Sequence, residues 1–120
     1  MLVRYKKSCE KIAMGLLSFM PEERELKKLK ETMNIYQTNS NWHLFLWKEG
    51  EAFVGLVGIE LAEGHYTLQH ISVNPSFHGE GIGHAMVEKV QQLIPDLEMH
   101  GTAFTEAFLE KCSEAKLAVI

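Results

Sequence analysis

The segment Leu68–Met86 most strongly limits what this chain can fold into, because it combines a strand, a turn, a glycine-rich loop and a helix. Apolar and β-branched residues dominate Leu68–Val73, which predicts a strand. Pro75 ends that strand, since proline has no N–H to continue a ladder. Three glycines alternate in the loop that follows: Gly79, Gly81 and Gly83. Apolar residues then recur every three or four positions over Ile82–Ile94, so a helix begins among the glycines.

This junction predicts an anion-binding site. The first turn of a helix has unpaired N–H groups and the positive end of the helix dipole. Glycines permit a positive φ and close approach of the backbone to a ligand, so the two features together can hold a phosphate. A tight turn that needs glycine only for its shape is the alternative, and it accounts for one glycine more readily than for three.

Two common phosphate-binding loops do not fit these residues. A dinucleotide-binding GxGxxG loop would have glycine where His84 stands, and no strand–turn–helix unit with a ribose-binding acid follows. A Walker loop would place Lys and then Ser or Thr after the last glycine, but His84 and Ala85 stand there. The phosphate ligand is therefore neither a Rossmann dinucleotide nor a P-loop nucleotide.

The loop His78–Gly83 resembles the [Q/R]-x-x-G-x-[G/A] loop of the GNAT superfamily of N-acetyltransferases. The preceding phrase, Leu-x-x-Ile-x-Val-x-Pro over Leu68–Pro75, is similar to the central strand of that family. The resemblance implies an acetyl-CoA-dependent N-acetyltransferase that acts on a small-molecule amine. The chain departs from the motif at its first position, where His78 replaces Arg or Gln; an imidazole donates to phosphate with a weaker and pH-dependent charge.

Within this superfamily the sequence is similar to a small acetyltransferase-like protein encoded with bacterial riboflavin-biosynthesis genes. That narrower resemblance implies an acceptor linked to riboflavin metabolism. In both cases the acceptor pocket would lie near the first two helices, the region whose sequence is least specific.

The resemblance also assigns cofactor-binding roles to residues of this chain. The backbone N–H of Val73 would polarise the thioester carbonyl, while Ile71 and Ser72 would line the pantetheine arm. The pyrophosphate of acetyl-CoA or coenzyme A would be held by the loop residues His78, Gly79, Glu80, Gly81, Ile82, Gly83 and His84.

The general acid and base are less well defined. At the strand positions where the family often has Glu or His, this chain has Gln69 and Thr67, which do not titrate near neutrality. His70 is the candidate base, although it should point to the opposite face unless the strand bulges, and a structural histidine is the alternative. Leu109 replaces the Tyr that often serves as acid. A second function therefore stays open: a CoA-binding regulatory or structural protein with little or no catalysis.

The remaining pattern predicts an α+β fold, a three-layer arrangement in which helices flank a mixed, mostly antiparallel central sheet. The other predicted strands are Leu2–Lys6, Trp42–Lys48, Ala52–Leu61 and Leu97–Thr102, the last parallel to the central strand. The other predicted helices are Glu10–Met20, a helix opening at Pro21, and Glu106–Cys112. The family adds two strands after that last helix, but here only a stub follows. We expect a homodimer to complete the sheet edge.

Composition limits the class of protein. At 120 residues the chain is a single domain, and its net charge of -4 provides no basic footprint for nucleic acid. Charged residues interrupt Leu2–Met20, so it predicts neither a signal peptide nor a membrane span. Two cysteines, Cys9 and Cys112, indicate a reduced, cytoplasmic protein. The histidine spacings predict no metal site.

Overall fold

The chain folds as a five-stranded sheet with helices on both faces. The computed structural model describes the backbone of residues 1–119 and the side chains of residues 1–114. The strands are β1 (Leu2–Arg4), β2 (Trp42–Glu49), β3 (Ala52–Leu61), β4 (His65–Val73) and β5 (Glu98–Gly101). The α-helices are α1 (Glu10–Leu17), α2 (Leu26–Thr38), α3 (Ile82–Leu93) and α4 (Glu106–Val119).

The strands lie in the order β1-β2-β3-β4-β5. Neighbours pair antiparallel except β4 and β5, which are parallel because α3 connects them as a crossover. The predicted α+β fold with a mixed, mostly antiparallel sheet is therefore confirmed.

The sheet separates two hydrophobic cores. On one face, α3 buries Met86, Val87 and Val90 against sheet residues that include Tyr66 and Leu68. On the other face, α1 and α2 form a core with the sheet whose members include Leu17, Met33, Leu46 and Leu56. None of the helices within residues 1–119 has the length and apolar character that crossing a membrane requires.

The first helical region differs from its prediction. The helix α1 ends at Leu17 rather than at Met20, because the N–H groups of Phe19 and Met20 turn back to carbonyls three residues earlier. A short 3₁₀ turn follows over Pro21–Glu23, and α2 begins only at Leu26. Phe19, which falls within the predicted helix, lies in the turn at the end of α1 instead and is 46% exposed.

The last helix is also longer than predicted. It continues from Glu106 through Val119 rather than ending at Cys112, so the expected terminal stub is helical as far as the backbone is described. Ile120 lies outside the described residues.

Candidate functional site

A bulge in β4 sets the orientation of the residues that follow it. Gly58 of β3 pairs with His70, while its neighbour Ile59 pairs with Leu68, so Gln69 is an extra residue in the ladder. Without the bulge, Leu68 and His70 would face the same side of the sheet. Instead Leu68 belongs to the core beneath α3, and His70 faces the opposite side.

Among the described residues, β4 has no strand partner on its β5 side beyond this bulge. The parallel ladder ends at the pair Leu68 and Gly101. The buried hydroxyl of Thr105 marks this point: it donates to the carbonyl of Leu68 at 2.8 Å and accepts from the N–H of Thr102 at 2.8 Å. The two strands therefore diverge, and one side of β4 is left unpaired as far as Val73.

The backbone of Val73 faces that unpaired side. The N–H of the next residue, Asn74, donates to the carbonyl of Val54 on β3 at 2.8 Å. Successive residues of a strand direct their backbone polar groups to opposite sides, so the N–H and C=O of Val73 point away from β3. Its carbonyl accepts from Nε2 of His78 at 2.8 Å. The side chain of His78 thus ties the glycine loop to the end of β4.

The glycine loop opens directly into α3. Gly79 and Gly81 have φ values of 83° and 78°, a region that favours glycine. The first hydrogen bond of the helix runs from the N–H of Ala85 to the carbonyl of Gly81. Over the described part of the chain, the preceding N–H groups of residues 82–84 have no backbone acceptor. This is the anion-binding geometry that the sequence predicts.

Gly83 also has a packing role. A Cβ at this position would lie 2.7 Å from the ring of Phe108 on α4, so the ring would have to move to accommodate a side chain. Glycine at position 83 therefore allows α3 and α4 to pack closely, and its role toward an anion stays a prediction.

These elements enclose a groove of about 660 Å³. Its lining is Phe19, Met20, Pro21, Ile71, Ser72, Val73, Pro75, Phe77, His78, Gly79, Gly81, Ile82, Gly83, His84, Phe104 and Phe108. The structure thus brings together every predicted cofactor-binding residue except Glu80, which is not part of the lining. Ser72 lines the groove, but its hydroxyl does not face it. That hydroxyl donates to the carbonyl of Leu16 at 2.7 Å on the opposite face of the sheet.

The aromatic walls of the groove were missed by sequence reasoning. Phe19 lies before the 3₁₀ turn, Phe104 lies in the loop after β5, and they are 46% and 61% exposed. Large apolar side chains with this exposure are available to contact a ligand. No local pattern identifies them, because they come from segments far apart in the chain and meet only when the sheet is assembled.

His70 belongs to a buried polar network rather than to the groove lining. It is 5% exposed; its Nδ1 lies 2.5 Å from the Tyr36 hydroxyl, and its Nε2 lies 3.0 Å from Oε1 of Glu23. The hydroxyl of Thr32 donates to the carboxylate of Glu23 at 2.8 Å and 2.9 Å. Nε2 of His70 donates to the carboxylate of Glu23, and Nδ1 shares a hydrogen bond with the Tyr36 hydroxyl, so both ring nitrogens have partners.

The ionisation of this network follows from its hydrogen bonds. Burial alone would raise the pKa of Glu23, but hydrogen bonds from His70 and Thr32, with the charges of His70 and Lys28, lower the pKa overall. Burial raises the pKa of Tyr36, and the charges of Glu23 and Glu60 add to that effect. An ionised Glu23 and a neutral Tyr36 hydroxyl therefore hold His70 from both sides. With both ring nitrogens engaged, the role of His70 as base stays a prediction.

The other ionisable clusters do not form a metal centre. His65 and His100 stack with ring centroids 4.5 Å apart, and Nε2 of His100 lies 3.6 Å from Glu98. Even so, no three His, Cys, Asp or Glu side chains in the described part of the chain converge in a way that could hold a metal ion.

The central strand diverges from its parallel neighbour beside a glycine loop and a helix N-terminus, and the family to which the chain belongs consists of acyltransferases. The chain belongs to the acetyltransferase (GNAT) family, whose model matches residues 10–112. It is 52% identical over 113 residues to an uncharacterized N-acetyltransferase in the lysA 3' region of Bacillus methanolicus, covering 93% of this chain and 94% of that protein.

Solved structures share the fold at low sequence identity. An aminoglycoside N-acetyltransferase, AAC(6')-Iy in complex with CoA, superposes with a TM-score of 0.75 and 16% identity, over 96% of this chain and 84% of that chain. The aminoglycoside 6'-N-acetyltransferase AAC(6')-IG from Acinetobacter haemolyticus has a TM-score of 0.72 and 12% identity, over 98% and 88% of the two chains. These likenesses concern the fold alone.

Proposed function

We propose that this protein transfers the acetyl group of acetyl-CoA to the amine of a small molecule. The observation that carries the proposal is the continuous groove from the unpaired end of β4 to the first turn of α3. An extended thioester arm fits along unpaired backbone, and a pyrophosphate fits the free N–H groups at the helix N-terminus. The related AAC(6')-Iy was crystallised with CoA, which supports the same ligand here.

The proposed reaction requires few catalytic side chains. A neutral amine attacks the carbonyl carbon of the thioester, so a C–N bond forms and the C–S bond breaks with its electron pair on sulfur. The amine proton leaves to water or to a base. The N–H of Val73 faces the unpaired side of β4, where it would stabilise negative charge on the carbonyl oxygen. Holding the amine against the thioester supplies much of the rate.

A second candidate is a CoA-binding regulatory or structural protein. The buried state of His70 favours it, since neither ring nitrogen is free to accept a substrate proton. Leu109 also stands where the family often has its Tyr acid. The two candidates share the ligand and differ in turnover.

Calorimetric titration with acetyl-CoA, CoA and NADH tests the shared part. We expect both coenzyme A compounds to bind the wild type, NADH not to bind, and Gly81→Glu to abolish binding because a carboxylate would repel the pyrophosphate. The matched control is Gly50→Glu: Gly50 also has a positive φ and open space around it, but it lies in the distant turn between β2 and β3. Loss of binding in both variants, or no binding by the wild type, would refute the proposal.

The acceptor is proposed to be an amine of low charge. Among the described side chains no carboxylate lines the groove, and its open walls are the exposed rings of Phe19 and Phe104. A polycationic aminoglycoside, the substrate that the names of AAC(6')-Iy and AAC(6')-IG indicate for those proteins, would find no counter-ion here. Mass-spectrometric acetylation assays should therefore show phenethylamine preferred over kanamycin. Phe104→Ala should raise KM for phenethylamine several-fold, and no turnover of any amine would favour the regulatory candidate.

We also propose two narrower properties of this protein, an acceptor from riboflavin metabolism and a homodimeric state. The resemblance to RibT, the small protein of bacterial riboflavin operons, supports an acceptor from riboflavin metabolism, and adding aminopyrimidine intermediates to the amine panel tests it. The four-residue edge strand β5 supports a homodimer. Sedimentation velocity at micromolar concentration should give a dimer mass, whereas a monomer mass would refute that proposal.

A further inference from the structure

A second groove lies on the other side of α3, away from the glycine loop. Among the described residues, the helix packs mainly on β3 and β4, and the adjoining part of β1 and β2 lines an open groove. The space between that face and the C-terminal half of α3 measures about 850 Å³. Small-molecule sites are commonly about 300–1,000 Å³. This second groove shares no lining residue with the first.

The walls of the second groove are apolar. Leu2, Phe45 and Ile59 line it from the sheet, and Val90 and Leu93 line it from α3. Leu93 is 61% exposed, which is unusual for a leucine on a helix face that adjoins a sheet. Phe45, Ile59 and Val90 form the buried floor of the groove, and Leu2 and Leu93 provide its more exposed apolar surface.

The charged groups at this groove are all basic. Arg4 and Lys89 line it, and no carboxylate among the side chains of residues 1–114 does, although the whole chain has a net charge of -4. The guanidinium of Arg4 lies 5.9 Å from the centre of the Phe45 ring, so its charge is held over the apolar wall. Within the described side chains, neither Arg4 nor Lys89 forms an ion pair. Burial, together with the charge of Arg4, lowers the pKa of the neighbouring His43.

We propose that this second groove binds an amphipathic anion, an apolar chain that ends in a carboxylate. The apolar walls would bury the chain, and Arg4 and Lys89 would pair with the terminal charge. Nothing in this assignment depends on acetyl transfer, because the groove is built from other residues.

Titration of ¹⁵N-labelled protein with octanoate, octylammonium and 1-octanol tests the assignment by NMR. Octanoate should shift the amides of Leu2, Phe45 and Val90 saturably and bind at least tenfold more tightly than octylammonium. The double variant Arg4→Gln/Lys89→Gln should weaken octanoate binding about tenfold and octanol binding less than twofold. Lys48→Gln is the matched control, because Lys48 lies over the Phe53 ring on the opposite face of the sheet and should leave octanoate binding unchanged.

Two further variants protect the test against misfolding and misassignment. Leu93→Glu places a negative charge in the groove from an exposed position, so it should abolish octanoate binding without affecting stability. Gly81→Glu should leave octanoate binding intact; a loss there would mean that the probe occupies the first groove, and the assignment would fail. Equal affinity for octanoate and octylammonium would overturn it too. So would amide shifts at the groove that follow protein concentration alone, since they would mark an interface between two copies of the chain.

Discussion

The hydroxyl of Tyr36 occupies the space that a side chain at Gly58 would need, and from there it lies 2.5 Å from Nδ1 of His70. Gly58 pairs directly with His70 across β3 and β4, at the edge of the bulge. A glycine on one strand therefore makes room for a helix residue to reach a histidine on the next. The hydrogen bond between Tyr36 and His70 connects α2 to the central strand, and the hydrogen bond between His70 and Glu23 connects that strand to the 3₁₀ turn after α1.

Gly58→Ala should disrupt this arrangement. The new Cβ would collide with the Tyr36 ring, which is buried and has no room to move, so we expect a loss of about 2–3 kcal/mol in the free energy of unfolding. Urea denaturation measures it. Gly15→Ala is the matched control: Gly15 is exposed on α1 with open space around it, and alanine there should stabilise by up to about 1 kcal/mol. Equal stability of the two variants would contradict the packing described.

Glu23 should make stability depend on pH in acid. Its pKa is lowered in the folded protein, so its contribution is fully present above the unfolded pKa, about 4.3, and is lost as pH falls through the folded value. The stability difference between wild type and Glu23→Gln should therefore shrink progressively as the pH falls below about 5. Glu25→Gln, at an exposed position, should follow the wild-type curve. A difference that grows on acidification would mean that the pKa of Glu23 is raised.

Thr105 should control where β4 and β5 separate. Thr105→Val keeps the shape but leaves the buried carbonyl of Leu68 without its donor, so we expect a cost of about 1–2 kcal/mol. Thr105→Ser retains the hydroxyl and should lose less. Hydrogen exchange should report faster exchange at the β4–β5 ladder in the valine variant only; unchanged exchange there would mean that the ladder ends independently of Thr105.

His78→Arg should strengthen coenzyme A binding. The arginine carries a permanent charge at the loop position where the family has Arg or Gln, so affinity should rise about threefold to tenfold at low salt and less at high salt. Calorimetry at two salt concentrations measures it. His100→Arg adds the same charge on β5, outside the groove, and should change affinity less than twofold. A similar gain in both variants would indicate a general charge effect rather than contact with phosphate.

The sequence alone predicted the strand, the glycine loop and the helix that form the junction between β4 and α3, because these elements are encoded by residues that are neighbours in the chain. Nine of the ten residues that the family resemblance assigned to the cofactor line the groove, and their role toward a cofactor stays a prediction. The sequence did not reveal, however, that Gly83 also serves the packing of α3 on Phe108. The end of α1 was also placed too late, since the turn at Phe19 is formed by backbone hydrogen bonds that no side-chain pattern reveals.

What only the tertiary structure decided is where separate segments meet. The bulge at Gln69 changes the face of every later residue relative to Leu68, and it places His70 beside Tyr36 and Glu23, residues far away in the chain. The aromatic walls from Phe19 and Phe104 and the hydroxyl of Thr105 beneath Leu68 arise in the same way. Local sequence determines which residues form strands, loops and helices, whereas contacts between them depend on sheet register and helix packing, which are properties of the assembled chain.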